Sequence, residues 1–482
     1  MDLHLTLSGR SDLTAQVYLR LRAAVLDGRL GPGDRLPSTR ELADELDVSR
    51  GTVTTAYDRL VAEGFLESRR GAGTFVRCAA PGVGSGRRRA SPGVVGPVPP
   101  WQAQGSPAPS PSPAAYELTF DLTVGVPDAG LFPLAVWRRL VAAELRLGRL
   151  GQAVAGTYVR PGHPRLQAEI ARYLGRSRSV VASAEDVLVT TGAQQALDLV
   201  ARVLLEPGAV VAVEDPGYTA AARLFETHRA QVVGVPVDEE GIVVQALPAR
   251  ARLVYVTPSH QFPLGVAMSL TRRVALLEWA SRHGAVIVED DYDSEFRFAD
   301  RPLEPLQSLD AEGRVVYVGT FSKTLLPGLR VGYAIAPSSL QPALREAKQV
   351  TDWSGDAVTQ GALAAFLAEG HLAAHVRRAT KVYGDRRRHL LAEVGRELGD
   401  VLEFVPSVAG LHVTALLRDA AVDDRELAAA VARAGVGVEP LSPRYRGQPR
   451  PGLMLGIGGV DQTRLPDALA LVVQTVRRRL AG

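Results

Sequence analysis

Leu13, Val17, Leu21 and Val25, with Ala24 beside them, recur at helical spacing until Gly28 stops the run. Residues Ser38 to Glu41 (STRE) have the S-x-x-E pattern, in which a hydroxyl and a carboxylate satisfy each other's backbone N–H groups. Leu42, Ala43 and Leu46 follow on one face. A short turn at Asp47 and Val48 precedes Ser49, a good N-cap, and a third helix that turns Val53, Ala56, Tyr57 and Leu60 inward as far as Gly64. Two helices joined so closely form a helix-turn-helix. Segments FLESR and TFVR then flank Arg70 to Gly73 and predict a hairpin, which would be a wing. From Asp186 onward the period changes. Short apolar runs (VLVTTG, AVVAVE, RLVYVTP, AVIVED, RVVYVGT) alternate with helical stretches such as AQQALDLVARVLL. That alternation predicts a largely parallel sheet covered by helices, with ligands at the carboxyl ends of the strands.

Between these two patterns lies a stretch with no hydrophobic period. From Pro81 to Pro113, 20 of 33 residues are Gly, Pro or Ser, a composition that predicts a semi-extended linker. The chain is thereby divided into a small unit (1–78), a linker (79–115) and a large unit (116–482). A length of 482 residues is too great for one ordinary core and agrees with that division. Arg87, Arg88 and Arg89 in the linker read as a solvated charge run, with contact to a phosphate backbone as the alternative. The single cysteine, Cys78, excludes a disulfide framework or a multi-cysteine metal site, and no metal is expected. The N-terminus lacks a basic region followed by an apolar core, and nowhere do about 18 apolar residues run together. A cytoplasmic protein is expected.

The net charge of +3 says little, because placement matters more than the total. Residues 1–78 hold eleven Arg, no Lys and eleven Asp plus Glu, so the small unit is formally neutral. Yet Arg50, Thr52, Thr54 and Thr55 occupy outward positions near the start of the third helix, where a recognition helix meets base edges and phosphates. Arg35 and Arg40 at the second helix, and Arg69 and Arg70 at the wing, are placed to hold a phosphate backbone. The helix-turn-helix pattern alone also fits a plain three-helix packing motif.

In the large unit the chemistry-bearing residues fall at predicted strand ends. Thr191 to Gln194 (TGAQ) lies between a strand and a helix start, where free N–H groups and the helix dipole favour a phosphate; an ordinary turn is the alternative. Asp215 to Tyr218 (DPGY) ends the next strand and brings an aromatic to the same edge. Glu289 to Asp293 (EDDYD) has three readings: a magnesium site, a carboxylate that holds a pyridinium proton beside a phenol, or a solvated acidic loop. Lys323 follows a strand and small hydroxyl residues, with Arg330 seven positions on, and neighbouring cationic and helix-end groups should lower its pKa. Only three of the 55 basic residues are lysines, and lysine alone can form an imine. Lys348 and Lys381 read as surface positions. Taken together, a phosphate cradle, a stacking aromatic, an acid for a ring nitrogen, an imine-forming lysine and a second phosphate clamp describe a pyridoxal 5'-phosphate (PLP) site.

From Leu19 to Val76 the chain, with LPSTRELA, VSRGTV and EGFLESRRGAGTFV, resembles the winged-helix domain of GntR-type bacterial regulators. From about Leu118 to the C-terminus, TTGAQQALDL, EDPGY, VTPSHQFPLGVAMS, VIVEDDYDSEFRF and FSKTLLPGLRVGY resemble the type I aminotransferase fold as it occurs in MocR regulators. The resemblance implies a mainly α winged helix-turn-helix followed by an α/β PLP-dependent transferase-like unit. It implies operator binding through Arg35, Ser38, Arg40, Arg50, Thr52, Thr54, Arg69, Arg70 and the wing turn at Gly71. Lys323 would form the imine, Asp290 would pair with the pyridine nitrogen, Tyr292 would bond the ring oxygen and Tyr218 would stack on the ring. Gly192, Ala193, Gln194, Thr320, Ser322 and Arg330 would surround the phosphate, and Tyr158 would reach the neighbouring subunit's site in a homodimer. His260, in the HQF stretch that replaces an asparagine of the aminotransferases, would serve in that asparagine's place. One departure stands out: where aminotransferases carry an arginine for the substrate carboxylate, GLMLGIGG places Met454; Arg444, Arg446 and Arg450 in the preceding loop read as surface residues, with a reach into the site as the alternative. The resemblance thus implies a regulator of double-stranded operator DNA with PLP as effector, akin to the PdxR-type branch and vitamin B6 supply. An amine or amino-acid effector, or a working aminotransferase, are the alternatives.

Overall fold

A computed structural model describes residues 12–69, 71–77, 117–146, 162–298 and 304–480. Arg70, Cys78, the Gly/Pro/Ser-rich stretch with Arg87, Arg88 and Arg89, and Tyr158 lie outside the described residues. Two compact units divide the chain, Met1–Gly96 and Pro97–Gly482.

In the small unit, α1 (Leu13–Leu26), α2 (Thr39–Glu45) and α3 (Arg50–Ala62) precede a hairpin of β1 (Leu66–Arg69) and β2 (Gly73–Val76). Each start is set by a side chain the sequence marks. Ser38 and Glu41 form a complete capping box, and Ser49 accepts from the Thr52 N–H at 3.1 Å. Val17, Leu21, Leu42, Val53 and Leu60 are fully buried where the three helices meet. Each such side chain contributes roughly 1.5–3 kcal/mol.

The large unit is built on an eight-stranded sheet. Its strands are β4 (Val187–Thr190), β5 (Val210–Asp215), β6 (Gln231–Asp238), β7 (Gly241–Ile242), β8 (Ala251–Val256), β9 (Val286–Asp291), β10 (Val315–Thr320) and β11 (Gly332–Ile335). They are arranged in the order β4-β11-β10-β9-β8-β5-β6-β7. Neighbours from β10 through β6 are parallel, whereas β11 runs antiparallel to both its partners and β7 folds back on β6. The parallel core is the one the apolar runs predict, and β9 and β10 are buried along their whole length because helices cover both faces. A smaller antiparallel sheet of β12 (Leu402–Phe404), β13 (His412–Leu417), β15 (Glu439–Pro440) and β16 (Gly452–Gly456) has its own core under the helices His371–Leu398 and Leu465–Leu480. A short parallel pair, β3 (Phe120–Asp121) with β14 (Val436–Gly437), ties the segment after residue 117 to it.

Lys348 corrects the sequence reading. It is 1% exposed, because its helix, Gln341–Asp352, packs on the helix Ala193–Leu204. There its ammonium meets Asp352, whose other oxygen accepts from Gln195 Nε2 at 2.8 Å. Lys381 is exposed, as expected.

Candidate functional site

The carboxyl ends of β4, β5, β8, β9 and β10 lie at one edge of the main sheet and surround a cavity of about 340 Å³. Its walls include Ala193, Gln194, Tyr218, Asp290, Tyr292, Thr320, Ser322, Lys323 and Arg330, nine residues that the sequence singles out. Gly192 lies just behind, with φ of 98°, and a Cβ there would come within 3.0 Å of the Arg330 guanidinium. Only glycine tolerates both the left-handed backbone and that approach. The Arg330 guanidinium donates to the Thr191 carbonyl at 2.8 Å, so the turn at the start of the helix Ala193–Leu204 and the arginine form one cationic, N–H-rich corner. Ser322 Oγ faces this region buried and without a hydrogen-bond partner.

Lys323 projects into the cavity and donates to the Gly125 carbonyl at 2.9 Å. A Cβ on Gly125 would lie 2.5 Å from the lysine nitrogen, so this close passage requires glycine. The Lys323 amine is held below its ordinary pKa, by burial, while Asp293, Glu439 and Asp290 pull the other way. The direction is the expected one but the cause is not. Arg330 is exposed and directed at Thr191, and desolvation does the lowering.

All four carboxylates of the EDDYD run are buried, which removes the reading as a solvated loop, and each faces different partners. Glu289 accepts from the Leu306 and Gln307 N–H groups. Asp291 pairs with Arg178 at 2.8 Å; burial pushes its carboxyl up, and the guanidinium together with hydrogen bonds from Tyr317 and Ser294 holds it below its ordinary value. Asp293 accepts from the Leu411 N–H at 3.1 Å and lies 3.0 Å from His260 Nδ1. Asp290 alone turns to the cavity. Its Oδ2 accepts from Tyr255 at 2.7 Å, its Oδ1 is buried with no partner, and burial pushes its pKa up to about 7. Such a carboxylate is suited to a cationic N–H donor.

Tyr292 reaches the cavity from the same segment, and its hydroxyl lies 2.9 Å from His260 Nδ1. His260 itself is 2% exposed and does not line the cavity; it stands behind Tyr292, between that phenol and Asp293. Tyr218 accepts from Gln194 Nε2 at 3.3 Å and packs edge-on against Phe262.

Several wall residues were not singled out from the sequence: Gly125, Tyr255, Phe262, His412 and Glu439. His412 is neutral, its pKa pushed down to about 4 by burial. Of the three arginines in the loop before β16, Arg444 is the one that reaches the cavity wall. The loop that carries it is pinned by Asp215, which accepts from the Arg446 and Gly447 N–H groups, and by Asp424, which accepts from those of Leu441 and Ser442. Arg446 pairs with Glu226 outside the cavity, and Arg450 is exposed. Met454 is fully buried in β16, opposite Thr414 and Glu439 in register.

In the small unit, the α3 face carries Arg50, whose Nε bonds Thr39 at 3.3 Å, and Thr52, paired with Ser49 at 2.8 Å. Thr54 and Thr55 return their hydroxyls to carbonyls one turn back, so the terminal guanidinium N–H groups of Arg50, exposed beyond its Nε bond to Thr39, are the strongest donors near the helix start. Arg35 bridges to Phe75 in the wing and Arg40 is exposed on α2; Ser38 is engaged in its cap, and Gly71 sits exposed in the wing turn. Arg69 is committed to Glu67 at 2.7 Å and lies over the Phe75 ring.

Comparison with known proteins agrees with both halves. Residues 13–76 match the gntR family of bacterial regulatory proteins, and residues 120–450 match aminotransferase class I and II. The chain is 38% identical to the probable rhizopine catabolism regulatory protein MocR of Rhizobium meliloti, covering 94% of this chain and 92% of that one. It is 34% identical to the HTH-type pyridoxine biosynthesis transcriptional regulator PdxR of Corynebacterium glutamicum, covering 97% and 96%. An archaeal alanine:glyoxylate aminotransferase superposes with a TM-score of 0.70 and 30% identity over 76% of this chain and 92% of its own. Among the described residues no helix is long and apolar enough to cross a membrane. A winged helix-turn-helix followed by an aminotransferase fold, shared over nearly full length with regulators of this build, places the chain in the MocR-type family of GntR transcriptional regulators.

Proposed function

We propose that this protein is a PLP-responsive DNA-binding regulator whose large unit senses cofactor, with control of vitamin B6 synthesis or salvage as its role. The observation that carries the reading is an asymmetry in the cavity. Groups suited to the cofactor line it and are partly unpartnered, while Met454, which the resemblance sets at the place of the substrate-carboxylate arginine, is buried in β16 and brings no charge to it. Methionine cannot pair with a carboxylate, so the site favours the cofactor over an amino-acid substrate. The relative named for pyridoxine biosynthesis, similar over nearly full length, supports the same reading.

The residues fit PLP at each of its functional groups. Asp290 Oδ1 would accept from a protonated ring nitrogen, Tyr292 would bond the ring oxygen with His260 and Asp293 fixing its hydroxyl, and Tyr218 would cover a ring face. Ser322, Thr320, Arg330 and the N–H groups at Gly192, Ala193 and Gln194 would hold the phosphate. When bound, PLP supplies an aldehyde for condensation with an amine. Lys323 provides that amine, and its burial favours the neutral, nucleophilic form.

The head would read DNA through α3. Arg50 would reach base edges or phosphates in the major groove, and Arg35, Arg40 and the exposed wing turn at Gly71 would follow the backbone, with Arg69 once it leaves Glu67 and with Arg70 as the sequence suggests. The large unit would form a homodimer, so two heads would address paired half-sites. Cofactor alters operator affinity only in so far as it binds one arrangement of the heads more tightly than the other. The test is operator binding by full-length protein with and without PLP. A PLP-dependent change that Lys323→Ala abolishes supports the reading, and robust turnover of an amino-acid and keto-acid pair would sink it.

A further inference from the structure

Glu439 occupies an unusual place. Its carboxylate lines the cavity, accepts from the Val124 N–H at 3.1 Å and is ion-paired with Arg444. The next residue along, Gly125, accepts from the Lys323 amine at 2.9 Å, so the lysine nitrogen and this carboxylate hang from adjacent positions of one backbone stretch. Arg444 is fixed in turn by Thr219 at 3.2 Å and lies over the Phe262 ring. Across the sheet, Met454 is the register partner of Glu439, so their side chains share a face. Because the Lys323 nitrogen and the Glu439 carboxylate bond to adjacent residues, an amino acid whose amine takes the place of the Lys323 amine would have this wall within reach of its carboxylate. The donors available there, a guanidinium and a backbone N–H, are already bound to Glu439.

We propose that Glu439 is a built-in carboxylate that fills the carboxylate subsite of this cavity, so that the PLP-loaded protein admits primary amines lacking a carboxylate and rejects amino acids. This rests on the reading of the cavity as a PLP site. The residue sets specificity in two ways. It removes the cationic and N–H donors that an incoming carboxylate needs, and it places a like charge where that carboxylate would lie. The loss of arginine at Met454 and the presence of Glu439 act together, because an arginine beside Glu439 in register would itself be paired.

Two probes of nearly equal size isolate the effect: L-alanine, and L-alaninol, in which a hydroxymethyl group replaces the carboxylate. Full-length protein is loaded with PLP and titrated with each, and the change in cofactor absorption gives an apparent Kd. In the wild type, L-alaninol is expected to bind at least about tenfold more tightly than L-alanine. In Glu439→Gln, where the like charge is gone and the one remaining amide oxygen can hold the Val124 N–H but no longer ion-pairs Arg444, the ratio should fall toward one or invert. Glu439→Gln combined with Arg444→Gln should lose the gain for L-alanine. Equal affinities for the two probes in the wild type would overturn the inference while leaving the cofactor reading intact, and that comparison requires no variant to fold. If wild-type protein develops no PLP-dependent absorption at all, the cofactor reading fails and the inference falls with it.

Discussion

Replacing Asp290 with asparagine should strengthen the cofactor-free fold while weakening cofactor binding. Burial, with the nearby Asp291 and Asp293 carboxylates, pushes the Asp290 pKa from an ordinary 3.8 to about 7, against the opposing hydrogen bond from Tyr255 and the charge of Lys323. Between those values the folded protein keeps a proton that the unfolded chain has already lost. This group's contribution to stability is therefore complete below pH 3.8 and declines as pH rises to about 7. The full span corresponds to a cost on the order of 4 kcal/mol above pH 7. Asparagine still accepts from Tyr255 but cannot ionise, so it avoids that cost. For a unit of this size the gain is about 5 °C in melting temperature. Glu289 and Glu295 are also raised to about 7 by burial but are common to both proteins; Glu214, raised to about 7 by burial and in part by the Asp290 charge, is relieved in the variant and moves the difference in the same direction. The assay is thermal unfolding of PLP-free full-length wild type and Asp290→Asn at pH 5 and pH 8, followed by PLP titration. The variant should melt higher at pH 8, with the gap narrowing at pH 5, and should bind PLP about 10–100-fold more weakly for want of a charged partner to the ring nitrogen. A variant that melts below wild type at pH 8, or shows the same gap at both values, would refute the account of Asp290 as a carboxylate held without its counter-ion.

Other expectations follow from single contacts. Arg50→Ala should weaken specific operator binding by about 1–3 kcal/mol, measured by titration of labelled operator; unchanged affinity would count against the α3 face. Ser38→Ala removes one half of a complete capping box and should cost the small unit about 1 kcal/mol in denaturant unfolding. Gly192→Ala forces a side chain into a backbone of φ 98° beside Arg330, and a cost of about 1–2 kcal/mol should appear as weaker PLP binding by absorption.

The fold was most legible where one side chain fixes one local choice. Ser38, Glu41 and Ser49 mark the starts of α2 and α3, and the apolar runs between Val187 and Thr320 gave the parallel core because strands buried on both faces have no polar alternation. The nine cavity residues were legible because strand ends bring them to one edge whatever the detail of the helices. What periodicity leaves open depends on contacts distant in sequence. Arg444 enters the cavity only because Asp215 and Asp424, more than 200 and exactly twenty residues before it respectively, hold its loop by backbone N–H groups. Lys348 is buried because Asp352 and Gln195 satisfy its surroundings, which periodicity cannot reveal. Glu439 sits in a two-residue strand, too short for any period, and its meaning comes from Val124, some three hundred residues earlier.

The central claim, that cofactor in the large unit governs DNA binding by the head, is tested most directly by operator affinity. Full-length wild type and Lys323→Ala are titrated onto operator DNA with and without PLP at one fixed salt concentration, because phosphate contacts make affinity salt-dependent. A shift in wild-type affinity on adding PLP, absent in a Lys323→Ala protein that still binds the operator, is the predicted result. Equal wild-type affinity with and without bound PLP would contradict it.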